Sequence, residues 1–165
     1  MTAMLDSVIH ARLIKDMASV CDRAAVSPSA LQSSAAQVCT ESDLDWLLNF
    51  RESGMPGLKM TGSGSLVRCM AITAALLRNF IDARIRTVDQ IIDDPVDCSV
   101  LVCPNLYTLG AKNMPPWRVQ KLYDTFVMRY TQDLPTVVWV ESLDGVKDYG
   151  PAMFDLLGMY KTSKG

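Results

Sequence analysis

Two short runs of apolar, β-forming residues, Val100 to Cys103 and Thr136 to Val140, constrain the fold of this chain more than any other feature. Neither run alternates apolar with polar residues, so each reads as a central strand buried on both faces, the habit of parallel sheets. Between them Val119, Leu122, Tyr123, Phe126, Val127 and Tyr130 recur at three- and four-residue steps. That spacing predicts an amphipathic helix, opened by Trp117 and ended by Leu134 and Pro135. Strand, helix and strand in that order require a crossover connection, which again favours parallel pairing.

The remaining segments extend the alternation. Gly57 to Thr61 reads as a short strand, Leu66 to Ile81 as a helix apolar on almost every face, Ile85 to Val88 as a strand and Val88 to Ile92 as a short helix. Pro104 is expected to end the strand that begins at Val100, and Ala152 to Met159 to form a final short helix. Upstream, Leu5, Val8, Ile9, Leu13, Met17, Val20, Cys21 and Ala24 describe one amphipathic helix from Met4 to Ala25. Residues 27–36 read as a helix break, a linker or a weaker second helix, and a helical segment begins at Ser42 with Asp43 and Asp45 in its first turn. The expected fold is α/β, a mainly parallel sheet with flanking helices, as a domain over residues 46–165 behind a helical extension over 1–45.

Bulk properties narrow the classes. A chain of 165 residues suits one well-buried domain. Hydrophobic content of 49% with charged content of 21% excludes a disordered chain. The longest apolar stretch, Leu66 to Leu77, is interrupted by Arg68 and is too short to span a bilayer. The first residues show no secretion signal, and five cysteines with no CxxC pair fit a reduced cytoplasmic compartment and argue against zinc. A net charge of −2 gives no global attraction to nucleic acid. The one local basic patch, Arg78, Arg84 and Arg86, reads first as a solvated edge and second as a DNA contact.

The region from Gly57 to Phe80 carries the functional question. Gly57, Gly62, Ser63, Gly64 and Ser65 lead into an apolar helix with the outline of a phosphate-binding loop, in which glycines let successive N–H groups turn toward phosphate. The loop lacks its lysine. Ser65 and Leu66 stand where a Walker A motif places the lysine and the hydroxyl that holds Mg²⁺.

Set in order, these segments resemble the AAA+ ATPases of the DnaC, DnaI and IstB type, which load replicative helicases or assist transposases. The resemblance covers roughly residues 46–157. It rests on Trp46 to Phe50, Gly57, Leu58, the glycine loop, the Val100 to Cys103 strand, and a third part: Leu122, Tyr123, Arg129, Tyr130, and Leu134 to Val138, with Tyr149 and Gly150 beyond. It implies a P-loop NTPase-like core, ATP or ADP as ligand, and a partner such as a replicative helicase, an active ATPase paralogue or a larger assembly. A phage or other mobile element is the implied source, and an oligomer is an accessible state.

The departures fall on the catalytic positions. Pro104 and Asn105 stand where the Walker B acids belong, Glu141 falls near the sensor 1 asparagine, Asp155 falls near the arginine finger, and the chain ends where a helical lid would begin. Phosphoryl transfer is catalysed by positioning and charge stabilisation, and one arginine finger alone is worth ~10³–10⁵ in rate. Losing the lysine, the metal ligand and the water-orienting acid together points to a pseudo-ATPase that acts by binding. A divergent ATPase with Lys59 or Arg68 as displaced cation is the competing reading, and a structural protein that keeps only the fold is a third.

Other constellations have simpler explanations. Asp93, Asp94 and Asp97 read as a polar cap on a strand before a metal site, and Asp144, Asp148 and Glu141 as an unassigned acidic edge. Ser63 and Ser65 are not in a GxSxG context, and the single His10 is far away in sequence, which argues against a serine nucleophile. Trp117, Tyr123 and Tyr130 read as core or edge-of-core residues before base-stacking ones, and Met55, Met60, Met114 and Met128 as core filling before an adaptable surface.

Overall fold

The computed structural model describes residues 4–94, 96–111 and 113–165. Five parallel strands form one sheet in the order β2-β3-β4-β1-β5: β1 (Gly57–Thr61), β2 (Ala83–Ile85), β3 (Val100–Tyr107), β4 (Thr136–Val140) and β5 (Lys161–Lys164). Among the described residues, eight α-helices cover it: α1 (Ala11–Lys15), α2 (Met17–Ala24), α3 (Pro28–Leu31), α4 (Glu41–Ser53), α5 (Ser65–Arg78), α6 (Val88–Asp93), α7 (Pro116–Thr131) and α8 (Pro151–Gly158). The expected α/β fold with a mainly parallel sheet is the fold observed.

Alternation along the strands splits the core in two. Leu58, Met60, Val100, Val102 and Val137 face α5 and the N-terminal helices, while Leu101, Cys103, Val138 and Val140 face α6, α7 and α8. Leu13, Cys21 and Leu31 of the N-terminal segment share the first cluster with Ile72 of α5, and α4 runs across residues 45 and 46. Among the described residues no helix is long and apolar enough to cross a membrane.

Three expectations need correction. The helix expected over Met4 to Ala25 is not continuous. The Asp6 carboxylate accepts from the N–H groups of Val8 and Ile9 (2.8 Å each), and His10 Nδ1 accepts from the Asp6 N–H, so local side chains take backbone donors into a turn. Helix begins only at Ala11 and breaks again at Asp16. Second, Pro104 does not end its strand. β3 continues to Tyr107 through a register shift between Cys103 and Tyr107, where the ladder does not need the missing N–H. Third, β5 was not expected at all, and the second strand lies at Ala83–Ile85 rather than Ile85 to Val88.

The end of α7 shows why Arg129 and Thr136 occur together. Arg129 is buried, and its guanidinium donates to Thr136 Oγ1 (3.1 Å), Cys98 O (3.1 Å), Ser99 O (3.1 Å) and Pro135 O (2.9 Å). One side chain thus ties the helix end to the starts of β3 and β4. Its partners are neutral oxygens, and burial pushes its pKa down.

Candidate functional site

The topology brings the glycine loop to the place where open α/β sheets bind ligands. β1 and β4 are neighbours, yet the chain leaves β1 through α5 toward β2 at one edge and leaves β4 through α8 toward β5 at the other. The crevice between their carboxyl ends is the topological switch point. Gly62 to Gly64 follow β1 there, Glu141 follows β4, and Pro104 and Asn105 lie near the end of β3. Gly57 does not join them, because it starts β1 at the opposite end. A Cβ on Gly57 would meet Thr136 O at 2.2 Å and the Tyr160 ring at 2.8 Å, so its glycine serves close packing.

The loop is tied to the segments around it. Gly62 and Gly64 adopt φ of +97° and +74°, the left-handed region that glycine enters without strain. A Cβ on Gly62 would lie 2.4 Å from Gly165 O, and the Gly165 N–H donates to Thr61 O at 2.9 Å. Trp139 donates through Nε1 to Gly62 O at 3.0 Å, and the Ser65 hydroxyl donates to Pro104 O at 2.6 Å. Loop, β3, β4 and the segment after β5 are stitched together.

Beneath the loop lies Arg68, one turn into α5. Its side chain is 3% exposed and that of its partner Asp43 is 0% exposed. Nε and one terminal nitrogen hold the Asp43 carboxylate in a fork at 2.9 Å each, and the same terminal nitrogen reaches Ser163 Oγ at 3.1 Å. The other donates to Thr61 O at 2.8 Å and, at the limit of a hydrogen bond, to Ser63 O at 3.5 Å. A guanidinium has five N–H donors, and all five have a protein acceptor. Burial alone would raise the Asp43 carboxyl, but hydrogen bonds from Arg68, Ser163 and Thr40 together with the Arg68 charge hold it below its ordinary 3.8.

The other expected residues are likewise committed. Asn105 Oδ1 accepts from the Val88 N–H at 3.1 Å, at the start of α6. Glu141 accepts from the Leu109 N–H at 2.6 Å and donates its own N–H to Tyr107 O at 2.9 Å. Asp148 accepts from the Tyr107 hydroxyl at 2.6 Å, and Asp144 pairs with Lys147 at 3.2 Å. Leu66 and Val67 stand 50% and 54% exposed on the first turn of α5. Lys59 lies on the opposite face of β1 from Leu58 and Met60, which pack toward α5, and burial pushes its pKa down.

Elsewhere, Arg78 is buried with its guanidinium on Leu31 O (2.9 Å), Arg84 forks onto Asp82, and Arg86 donates to Ile85 O and Arg23 O. Among the described residues, no group of three or more His, Cys, Asp or Glu is set to hold a metal, and the five cysteines are free thiols. The sequence offers Arg68 as a candidate displaced cation and gives no sign of its pairing with Asp43. The available signal was an arginine inside a helix whose remaining faces are almost wholly apolar.

The topology is that of a P-loop NTPase-like α/β fold. No protein-family model matches the sequence, and no curated protein does. Solved structures do. A DNA replication initiation factor superposes with a TM-score of 0.67 at 8% identity, covering 84% of this chain and 50% of that one. Domain III of the replication initiation protein DnaA from Thermotoga maritima gives 0.65 at 12% identity, over 84% and 68%. AMPPCP-bound DnaA from Aquifex aeolicus gives 0.64 at 7% identity, over 84% and 50%. The chain spans about half the length of the first and third of these neighbours. At such identities the likeness is one of fold.

Proposed function

We propose that this chain is a pseudo-ATPase: an AAA+-like protein that acts by binding other proteins in a replication or recombination assembly, in the manner of a helicase loader, without turning over nucleotide. The observation that carries this reading is Arg68. The positive charge nearest the glycine loop is turned inward, paired with Asp43 and spent on the loop's own carbonyls. A triphosphate would need backbone N–H groups curled around it and a free cation at its outer oxygens. Here the glycines serve a tight crossing of chain segments instead. The exposed Leu66 and Val67, where an active site would present a metal-binding hydroxyl, suit contact with a protein surface better than contact with Mg²⁺ and phosphate.

Calorimetric titration with ATP and ADP, with and without Mg²⁺, beside a steady-state hydrolysis assay, tests the proposal. The expected result is no Mg²⁺-dependent turnover and no saturable binding at the loop. Turnover that depends on Mg²⁺ and disappears in Lys59→Ala would overturn it and restore the divergent ATPase.

A further inference from the structure

β5 is the last strand in the sheet order and pairs with β1, Lys59 standing beside Thr162 and Thr61 beside Lys164. The Gly165 N–H donates inward to Thr61 O at 2.9 Å. By the alternation of a strand, Lys161 and Ser163 also turn their backbone groups toward β1, while Thr162 and Lys164 turn their N–H and C=O groups outward. Both residues are exposed, and among the described residues nothing bonds these outward groups. Ser163 between them is buried and held by Arg68 at 3.1 Å, so the edge is fixed in extended form before any partner arrives. A strand edge left open in this way is a template for another strand.

The two strands at this edge carry charge of one sign. β5 contributes Lys161 and Lys164, β1 contributes Lys59, and neither strand holds a carboxylate. The register puts Lys59 on the same face as Thr162 and Lys164. Neither Lys59 nor Lys164 has an ion-pair partner among the described residues. Burial is what lowers the Lys59 pKa, and no carboxylate, Asp155 of α8 included, acts on it. On α4, the helix packed against β5, Asp43 is committed to Arg68 and Asp45 to Lys161. Glu41 is exposed in the first turn of α4, where it answers the positive end of its own helix. Lys161 is thus neutralised by Asp45, while Lys59 and Lys164 leave the edge positive.

We propose that the outer edge of β5 takes an extended acidic segment of a partner protein, which adds to the sheet as a further strand. Ladder bonds to Thr162 and Lys164 supply the attachment. Carboxylates on alternate residues of the incoming strand share one face and meet Lys164 and Lys59 there. Lysine on an edge strand ordinarily repels other strands, and here it selects among them. A second copy of β5 would set Lys161 and Lys164 against their equivalents, and like charges across a strand pair are destabilising, so self-pairing and a basic strand are both disfavoured. The edge stands apart from the nucleotide question: ATP turnover would overturn the pseudo-ATPase reading and leave strand addition untouched.

Short end-capped peptides that alternate valine with glutamate, or valine with lysine, are titrated into the full chain at low salt while backbone amide resonances and their exchange are followed. A third peptide, acidic but interrupted by proline, keeps the charge and cannot form the ladder. The acidic peptide is expected to bind about tenfold tighter than the basic one, and tighter than the interrupted one, with shifts and slowed exchange at Thr162 and Lys164. Lys164→Glu, a change to an exposed side chain, should weaken acidic binding about tenfold and strengthen basic binding. Thr162→Pro removes an outward N–H, leaves the ladder to β1 intact and should abolish the protection at Lys164. Equal affinity for acidic and basic peptides, an interrupted peptide that binds as well as the continuous one, shifts confined to other residues, or unchanged binding in Lys164→Glu would overturn the assignment. So would self-association of the chain through the same amides with no peptide present, since the occupant would then be a second copy.

Discussion

Replacing Asp43 with alanine removes the carboxylate that neutralises Arg68 and leaves a guanidinium in a place where only 3% of its side-chain surface meets water. Both hydrogen bonds from Arg68 vanish with it, as does the capping bond from the Thr40 N–H at 2.9 Å, and the remaining partners of Arg68 are two carbonyls and one hydroxyl. Removing one member of a buried, hydrogen-bonded pair costs ~3–5 kcal/mol, most of it the stranded charge. At about 2–4 °C per kcal/mol for a chain of this size, the melting temperature falls by roughly 6–20 °C. Urea unfolding read by circular dichroism supplies the free energy, with Arg68→Met and the Asp43→Leu, Arg68→Met double variant completing a cycle. The double variant should recover more than half of the loss, because no charge is left unpaired. The acid limb gives an independent check. The folded carboxyl titrates below its ordinary 3.8, so the pair's contribution is complete above that pH and drains away as the pH falls from there through the depressed value. Asp43→Ala should flatten that limb. A cost below about 1 kcal/mol with an unchanged acid limb would refute the reasoning, since the pair would then behave like an exposed one.

Two further outcomes follow from neighbouring geometry. Gly62→Ala places a methyl 2.4 Å from Gly165 O on a backbone at φ +97°, and should destabilise by about 1–3 kcal/mol in the same unfolding assay, with amide exchange rising first around Thr61 and Gly165. Arg129→Met strands three carbonyls and the Thr136 hydroxyl beneath α7, and should cost about 3 kcal/mol or more, while Arg129→Lys, with three donors for four acceptors, should fall between it and the parent.

The parts of the fold that could be read from sequence are those in which burial writes itself into composition. Both faces of β3 and β4 are covered, so Val100 to Cys103 and Thr136 to Val140 are apolar throughout, and α7 buries one stripe and shows its period. β5 left no such mark. It is an edge strand, Lys161–Lys164, whose one buried residue is Ser163, and nothing in its composition separates it from a loop. The site was legible as a position and not as a state. Glycines before an apolar helix located the crevice, but its occupant depends on Arg68 meeting Asp43, 25 residues earlier on another helix, and such a pairing has no spacing signature. Arg129, Tyr130, Pro135 and Thr136 stand in the sequence as a pattern, and its reason is three-dimensional, a guanidinium clamped across three element ends.

The Arg68 cluster also bears on how the molecule opens. A four-residue polar edge strand would ordinarily fray on its own, with little lost when its end lifts away. Here Ser163 Oγ bonds both Arg68 and Thr40 Oγ1, the latter at 2.8 Å, and Thr40 caps α4 at the other end of the chain. Lifting β5 would therefore admit water to a buried ion pair and loosen the start of α4 in the same event. The strand with the weakest sequence signal is thereby bound into the cooperative unit of the whole domain, closing a contact whose other members, Asp43 and Arg68, lie more than 90 residues earlier in the chain.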